Sequence, residues 1–311
     1  MFEIVGHKNN KHWYYLLPSL IILTIFTFYP LTKNFLISFN SSYDKFNDTF
    51  ELKSFFSLMS YKMIFQDLYF KISIVNTLIL VLFIVPISLT ISLIIALILN
   101  SIKNLFFKNF FKTFFFLPLI SNVVVMGMVF SVFFYYNNGI FTDKPEGLFN
   151  YFLSIFGIKS RNWVGFSAPS SHKFFALIFY NTWSRISFKV FVFVLALQNI
   201  NKSYYDAAKV DGTSKWRIFT KITLPLLIPV IFYQFVIEIL AVFKEYESII
   251  GVLGQDADPQ MQTIVMYIYN QLSSSSINSY SKGAAASIVL FFISVLFIAI
   301  SFYISKKKIN Y

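Results

Sequence analysis

Residues 203–225, Ser-Tyr-Tyr-Asp-Ala-Ala-Lys-Val-Asp-Gly-Thr-Ser-Lys-Trp-Arg-Ile-Phe-Thr-Lys-Ile-Thr-Leu-Pro, form a polar stretch lodged between two long apolar runs. Its cations, Lys209, Lys215, Arg217 and Lys221, outnumber its acids, Asp206 and Asp211. The order of residues reads as two short helices. Ser203 followed by Asp206 is a capping-box-like start, in which a hydroxyl accepts an orphan helix N–H. Gly212 marks the end of the first helix, because glycine reaches a left-handed C-cap without a Cβ penalty. Thr213 or Ser214 then caps a second helix, which runs into Leu224-Pro225 and is expected to be redirected there. A polar helix–Gly–helix hairpin between apolar neighbours is a shape suited to being gripped by another protein.

Working outward, Lys173–Gln198 and Leu226–Ile250 flank this hairpin, and four more apolar runs lie beyond them. They cover Tyr14 to about Phe39, Ile72–Leu99 with Pro86 inside, Thr113–Tyr136 entered through Leu117-Pro118, and Ala284–Ile304. The first is too long for a signal peptide and lacks a small-residue cleavage site, so it reads as a retained helix. The fold expected is therefore all-α, a polytopic membrane protein with six transmembrane helices over residues 14–304. Residues 1–13 form a polar N-terminal segment, 199–225 hold the hairpin, and 305–311 close the chain as a basic tail. Polar loops are expected at 40–71, 137–172 and 251–283, with a short basic connector at 100–112. Pro18, Pro30, Pro86 and Pro118 read as kinks whose freed carbonyls face protein. The small run Gly283–Ser287 suits close packing of the sixth helix on a neighbour.

Composition agrees. With 57% hydrophobic and 13% charged residues, this is not an ordinary soluble globule. Zero Cys excludes disulfides and thiolate metal sites. A net charge of +12 could suggest a nucleic-acid partner, but the cations are spread over membrane-flanking segments and form no single stripe. Segments 1–13, 100–112, 199–221 and 305–311 carry a strong excess of Lys and Arg, whereas the intervening loops are nearly balanced. The positive side belongs in the cytoplasm, which places the hairpin and both termini there.

Charged groups within spans are costly, and they face a bundle interior or a wet cavity. Asn181, Arg185 and Lys189 recur at i, i+4 and i+8, along one stripe of the fourth span. Gln234, Glu238 and Glu245 on the fifth fall within roughly 40° of one another. The two spans run in opposite directions, and Arg185 and Glu238 both lie about 18 Å from the outer end. They are expected either to pair, holding two helices together, or to flank a polar path. Lys244, Glu245, Tyr246 and Glu247 read as a solvated cluster near the outer mouth. Trp183 and Tyr246 offer stacking faces, though packing is the simpler role in a chain with 41 Phe and 19 Tyr.

The chemistry that is missing narrows the function. No Gly-x-x-x-x-Gly-Lys-Ser/Thr sequence occurs, so the chain is not expected to bind ATP itself. His7, His12 and His172 are isolated and form no pair at metal-ligand spacing. No Gly-x-Ser-x-Gly nucleophile motif is present. A polytopic enzyme acting on lipid-linked substrates would call for paired acids or a metal cluster at the membrane surface. Asp206 and Asp211 instead fit capping and turn positions. A stand-alone secondary transporter would call for internal hydropathy repeats, and none is visible. A transport subunit without its own catalytic site fits best.

The hairpin also carries a resemblance. Asp206-Ala207-Ala208, Asp211-Gly212 and Ile222-Thr223-Leu224-Pro225 are similar to the "EAA" loop of inner-membrane subunits of ATP-binding-cassette importers, with Asp206 where that family usually has Glu. The form Tyr-Asp-Ala-Ala-Lys-Val-Asp-Gly-Thr-Ser most resembles the carbohydrate-uptake branch, the maltose and glycerol-3-phosphate type permeases. Leu17-Pro18 through Tyr29-Pro30, Asn76-Thr77, Phe114–Pro118 with Ser121–Val124, and Asn162-Trp-Val-Gly165 resemble further elements of the family. So do Tyr267-Ile-Tyr269 and Gly283–Ser287. Gly254-Gln255-Asp256 stands where the family commonly has a Gly-Gly-Gly-Pro turn. The resemblance implies a bacterial cytoplasmic-membrane permease subunit that moves a sugar or glycerol-phosphate-like solute by alternating access. It implies a second homologous permease, two ATPase subunits carrying ATP and Mg, an extracytoplasmic solute-binding protein, surrounding membrane lipid, and no nucleic acid. Asp206, Ala207, Ala208, Asp211, Gly212, Ile222, Leu224 and Pro225 would then form the ATPase-coupling loop. Asn181, Arg185, Lys189, Gln234, Glu238 and Glu245 would be candidates for the translocation path.

Overall fold

The structure, a computed structural model, describes residues 11–43, 56–137, 146–254, 258–276 and 278–306. Most of segments 1–13 and 305–311, and Gln255-Asp256 of the 254–256 turn, lie outside the described residues. Among the described residues every regular element is a helix. In chain order these are α1 (Lys11–Leu23), a π turn (Thr24–Phe28), α2 (Tyr29–Ser38), α3 (Met59–Gln66), α4 (Leu68–Ser101), α5 (Leu105–Ile120), α6 (Val123–Phe133), α7 (Leu148–Ile155) and α8 (Ser170–Gln198). There follow α9 (Lys202–Val210), α10 (Lys215–Ile218), a second π turn (Phe219–Thr223), α11 (Leu224–Phe243), α12 (Glu247–Leu253), a 3-10 turn (Pro259–Met261), α13 (Ile264–Ser273) and α14 (Ser279–Lys306).

The chain divides into two compact units, Met1–Asp67 with Ile268–Val289, and Leu68–Tyr267 with Leu290–Tyr311. The larger is built on α4 and α8, which pack along each other, with α11 against α4 and α12 against α6. Leu80, Ile84, Phe134, Leu177, Tyr180, Phe193, Val242 and Ile249 are among its core residues. Helix α4 shows what solvent this fold is made for. Its inner face carries Ser73, Asn76, Thr77, Ser88 and Ser92 beside Leu80 and Ile84, while Leu82 (67% exposed) and Ile98 (56%) point outward. Polar groups inside and large apolar ones outside suit hydrocarbon. The buried hydroxyls are bonded within the helix: Ser73 donates to the Phe70 carbonyl and Thr77 to that of Ser73, both at 2.7 Å, and Ser92 to that of Ser88 at 2.6 Å.

In the smaller unit, Ile37, Tyr43 and Ala284 form a buried cluster. Asn34 Nδ2 donates to Ser287 Oγ at 2.8 Å, and Ala284, Ala285 and Ala286 are all buried. Small residues thus bring α14 close to α2, as the run Gly283–Ser287 suggested.

Four helical stretches are long and apolar enough to cross a membrane: Tyr14–Ser38, Leu68–Ser101, Lys215–Phe243 and Ser279–Ser305. Helices α5 and α6 make a fifth if the bent pair is one span. Helix α8, expected as the remaining crossing, has 29 residues, but its polar side chains keep it below that apolarity.

Two local expectations are corrected. The third span is not one helix over 113–136 behind a connector. Helix α5 already starts at Leu105, where Asn104 Oδ1 accepts the Phe106 N–H at 2.9 Å, and the chain turns by 105° between α5 and α6. Pro118 weakens the last turn of α5. Extended Asn122 then restarts the helix by accepting the Val124 N–H at 2.9 Å. The second correction concerns Leu224-Pro225, where the chain is not redirected, because Lys215–Phe243 runs as one helix. The π turn absorbs the proline. The Leu224 N–H bonds to the Phe219 carbonyl, five residues back, which widens the helix where the ring would otherwise clash. Tyr29 does the same to Thr24 just before Pro30.

Candidate functional site

The hairpin forms, with one change of cap. Asn201, not Ser203, opens α9, its Oδ1 accepting the Ser203 N–H at 3.0 Å. At the other end the Thr213 N–H bonds to the Ala208 carbonyl at 2.9 Å and the Gly212 N–H to that of Lys209 at 3.0 Å. This is a Schellman closure, and Gly212 supplies its left-handed residue at φ +67°. A Cβ at Gly212 would meet nothing within 4 Å, so only backbone strain demands glycine. Ser214 caps α10 through the Arg217 N–H. Tyr205 Oη and Thr223 Oγ1 lie 3.2 Å apart and clip α9 to the second π turn. Ala208 is buried beneath, while Asp206 pairs with Lys209 at 3.1 Å on the open face. Val210 (89% exposed) and Trp216 (73%) stand out from this polar hairpin as apolar side chains without cover. Ile222, Leu224 and Pro225 lie in the helix that carries the hairpin into α11.

The intramembrane polar residues also come together, in a pairing the spacing did not single out. Arg185 bonds Glu245 rather than Glu238, and Glu238 takes Lys189 at 2.8 Å. The Arg185 Nε donates to Asn181 Oδ1 at 3.2 Å, and Asn181 Nδ2 donates to Ser248 Oγ at 2.9 Å. Lys189 also donates to the Arg185 carbonyl at 2.9 Å, and Ser88 Oγ to Glu238 at 3.3 Å. The reason for the swap is that α11 stops short of Glu245. Phe243 closes that helix, and Glu245 lies in the link to α12, where its carboxylate accepts the Ser248 N–H at 2.9 Å. Two cations on α8 and two anions, Glu238 on α11 and Glu245 just beyond it, thereby neutralise one another, with Lys189 and Glu238 both nearly sealed from solvent. Gln234 is buried on the same helix, with its Nε2 unbonded.

Beside the Arg185–Glu245 pair lies a cavity of about 370 Å³, walled by Tyr180, Trp183, Arg185, Lys244, Glu245 and Glu247, among others. Its wall is fixed at two points. Tyr180 Oη donates to the Val123 carbonyl at the α5–α6 break. Gly127 of α6 and Gly251 of α12 approach so closely that a Cβ on Gly127 would lie 2.7 Å from the Gly251 Cα. A pocket of balanced charge with aromatic walls can hydrogen-bond and stack on a hydroxylated solute.

Several participants escaped the sequence reading. Ser88, Ser248 and Tyr180 support the cluster, and Thr263 Oγ1 donates to the Glu245 carbonyl at 2.7 Å. The loop around Thr263 is tied down from α4, where Asn76 Nδ2 donates to the carbonyls of Gln260 (2.7 Å) and Gln262 (3.0 Å). Lys173, 2% exposed, pairs with Asp258 at 3.0 Å. Burial alone would raise the Asp258 carboxyl, but the Gln260 N–H and the Lys173 ammonium hold it below the usual carboxylate range. The available signal was a polar Asn76-Thr77 pair at the head of an apolar run. Among the described residues no group of three or more His, Asp or Glu is placed to hold a metal ion.

Residues 74–310 match the family described as "Binding-protein-dependent transport system inner membrane component". The chain is 30% identical over 193 residues to the arabinooligosaccharides transport system permease protein AraP of Bacillus subtilis, covering 61% of this chain and 57% of that protein. It is 31% identical over 151 residues to the trehalose/maltose permease MalF of Thermococcus litoralis, 49% of each. To the sn-glycerol-3-phosphate permease UgpA of Escherichia coli it is 29% identical over 173 residues, 55% of this chain and 57% of that one. The matched stretch thus spans about half the length of these relatives. In fold, the chain superposes with a TM-score of 0.77 at 23% identity on a chain of a bacterial ABC transporter that imports the acidic polysaccharide alginate, covering 97% of this chain and 98% of that one.

Proposed function

The chain belongs to the family of binding-protein-dependent transport system inner membrane components, and on that premise we propose that it is the membrane-spanning permease subunit of an ATP-binding-cassette importer for a sugar or glycerol-phosphate-like solute. Its family is a transport component rather than an enzyme. Six helices cross the membrane in this reading, α8 and the bent α5–α6 pair among them, with the hairpin and both termini in the cytoplasm. ATP and Mg belong to two partner ATPase subunits. A second permease of the same kind completes the pathway, and an extracytoplasmic binding protein delivers the solute, as the named complex of the alginate transporter with its periplasmic protein illustrates for that system.

The observation that carries the reading is the hairpin: rigidly closed at Gly212, clipped by Tyr205 to Thr223, and continuous through the second π turn with α11. A push on Trp216 passes along one unbroken helix to Gln234 and Glu238, and a push on Val210 reaches that helix through the Gly212 turn and the Tyr205–Thr223 clip. Asn181, Arg185, Lys189, Gln234, Glu238 and Glu245 line or support the path that this motion opens, by alternating access. Substituting Gly212→Val in the reconstituted complex tests the coupling. Uptake is expected to fall at least tenfold while ATP hydrolysis persists; unchanged uptake would overturn the assignment.

A further inference from the structure

We propose that the junction of α4 and α5 is a binding site for an anionic phospholipid, with its acyl chain in an apolar slot and its phosphate on Lys108 and Lys112. The slot, about 160 Å³, is walled by Ile95, Ile98, Leu99, Ile102, Phe111 and Phe115. At about 100° per residue, Lys108, Phe111, Lys112 and Phe115 fall within one ~100° arc of α5, so both ammonium groups share the face that carries the slot. Both lysines are half-buried, whereas Phe107 and Phe110 on the outer face are exposed. Lys103 lies just before the Asn104 cap, adding a third cation at the same end.

None of these three lysines has a salt bridge among the described residues. Nor does sequence offer one nearby, because no Asp or Glu occurs between Asp67 and Asp143. Cations without a salt bridge, on the helix face that carries a hydrocarbon-lined slot, are complementary to one ligand chemistry: a negatively charged headgroup carrying aliphatic chains. A neutral zwitterionic lipid would fill the slot and leave the charge unmet. A protein partner would have to supply acids and apolar groups in the same register.

The test uses the full chain in nanodiscs of mixed phosphatidylglycerol and phosphatidylcholine, with retained lipid counted by native mass spectrometry after release. The wild-type chain is expected to retain phosphatidylglycerol preferentially, and Lys108→Gln with Lys112→Gln to cut that preference roughly tenfold. The control Lys202→Gln, on the hairpin side of α8, should leave it unchanged. Should the double variant fail to insert, raising salt on the wild-type chain provides the same reading, since the preference must fall as the charges are screened. Equal retention of both lipids by the wild-type chain, a preference unmoved by the double substitution and by salt, or a co-purifying protein covering the slot would each overturn the proposal.

Discussion

Lys189 and Glu238 set the residue scale of this protein. Each is buried, each has the other as its counter-charge, and neither can lose its partner cheaply. Glu238→Ala leaves an ammonium stranded between helices and is expected to destabilise the detergent-solubilised chain by about 3–5 kcal/mol, read as a fall in the unfolding midpoint. Replacing both, Lys189→Met with Glu238→Leu, should restore most of that stability, because two apolar side chains need no counter-charge. If this double variant still transports, the pair is scaffolding and the path runs elsewhere. At Lys173–Asp258 the sign follows from the depressed carboxyl. The stabilisation is fully present above the ordinary Asp value of ~3.9 and is lost as pH falls through the lower folded value. Protection of the amides in residues 258–264, taken relative to the intrinsic exchange rate at each pH, should therefore fall in acid, and Asp258→Asn should show the low protection already at neutral pH. An Asp258→Asn variant as protected as wild type would contradict this.

Among elements, the contact between α6 and α12 leaves no room for a side chain. A Cβ on Gly251 would sit 2.8 Å from the Val124 carbonyl and 2.9 Å from the Gly127 Cα, both backbone atoms that cannot swing aside. Gly251→Val should cost about 1–3 kcal/mol by overpacking and deform the cavity wall, seen as lost solute uptake in a chain that still inserts. Wild-type uptake in that variant would mean the cavity is not on the path. What was legible in sequence follows the same division. Strong local signals read through: Gly212 as the hairpin's left-handed residue, Ser214 as a cap, and apolar runs as helices. The bend after Pro118 and the straight passage through Pro225 were not legible, because proline states that a donor is lost without stating whether a break or a π turn compensates. Arg185 was matched to Glu238 by depth along ideal helices, but α11 ends at Phe243, and that end lets Glu245 reach back instead. The Lys173–Asp258 pair, 85 residues apart, had no local signature.

For the whole molecule, the proposed coupling requires force to enter at the hairpin and leave as motion around Glu238. Because the chain has no cysteine, a single introduced thiol reports without background. In sealed cells Lys159→Cys should react with a membrane-impermeant maleimide and Lys209→Cys should not, since the proposed topology puts these positions on opposite sides. Equal labelling of both would remove the orientation. The most direct measurement is cross-linking from Val210→Cys, at the uncovered tip of the hairpin, carried out in the native membrane with a short thiol-reactive photo-cross-linker. One dominant adduct is expected, with an ATPase subunit, and its yield should change when ATP is supplied. Adducts with lipid alone, or none at all while the chain is fully inserted, would contradict it.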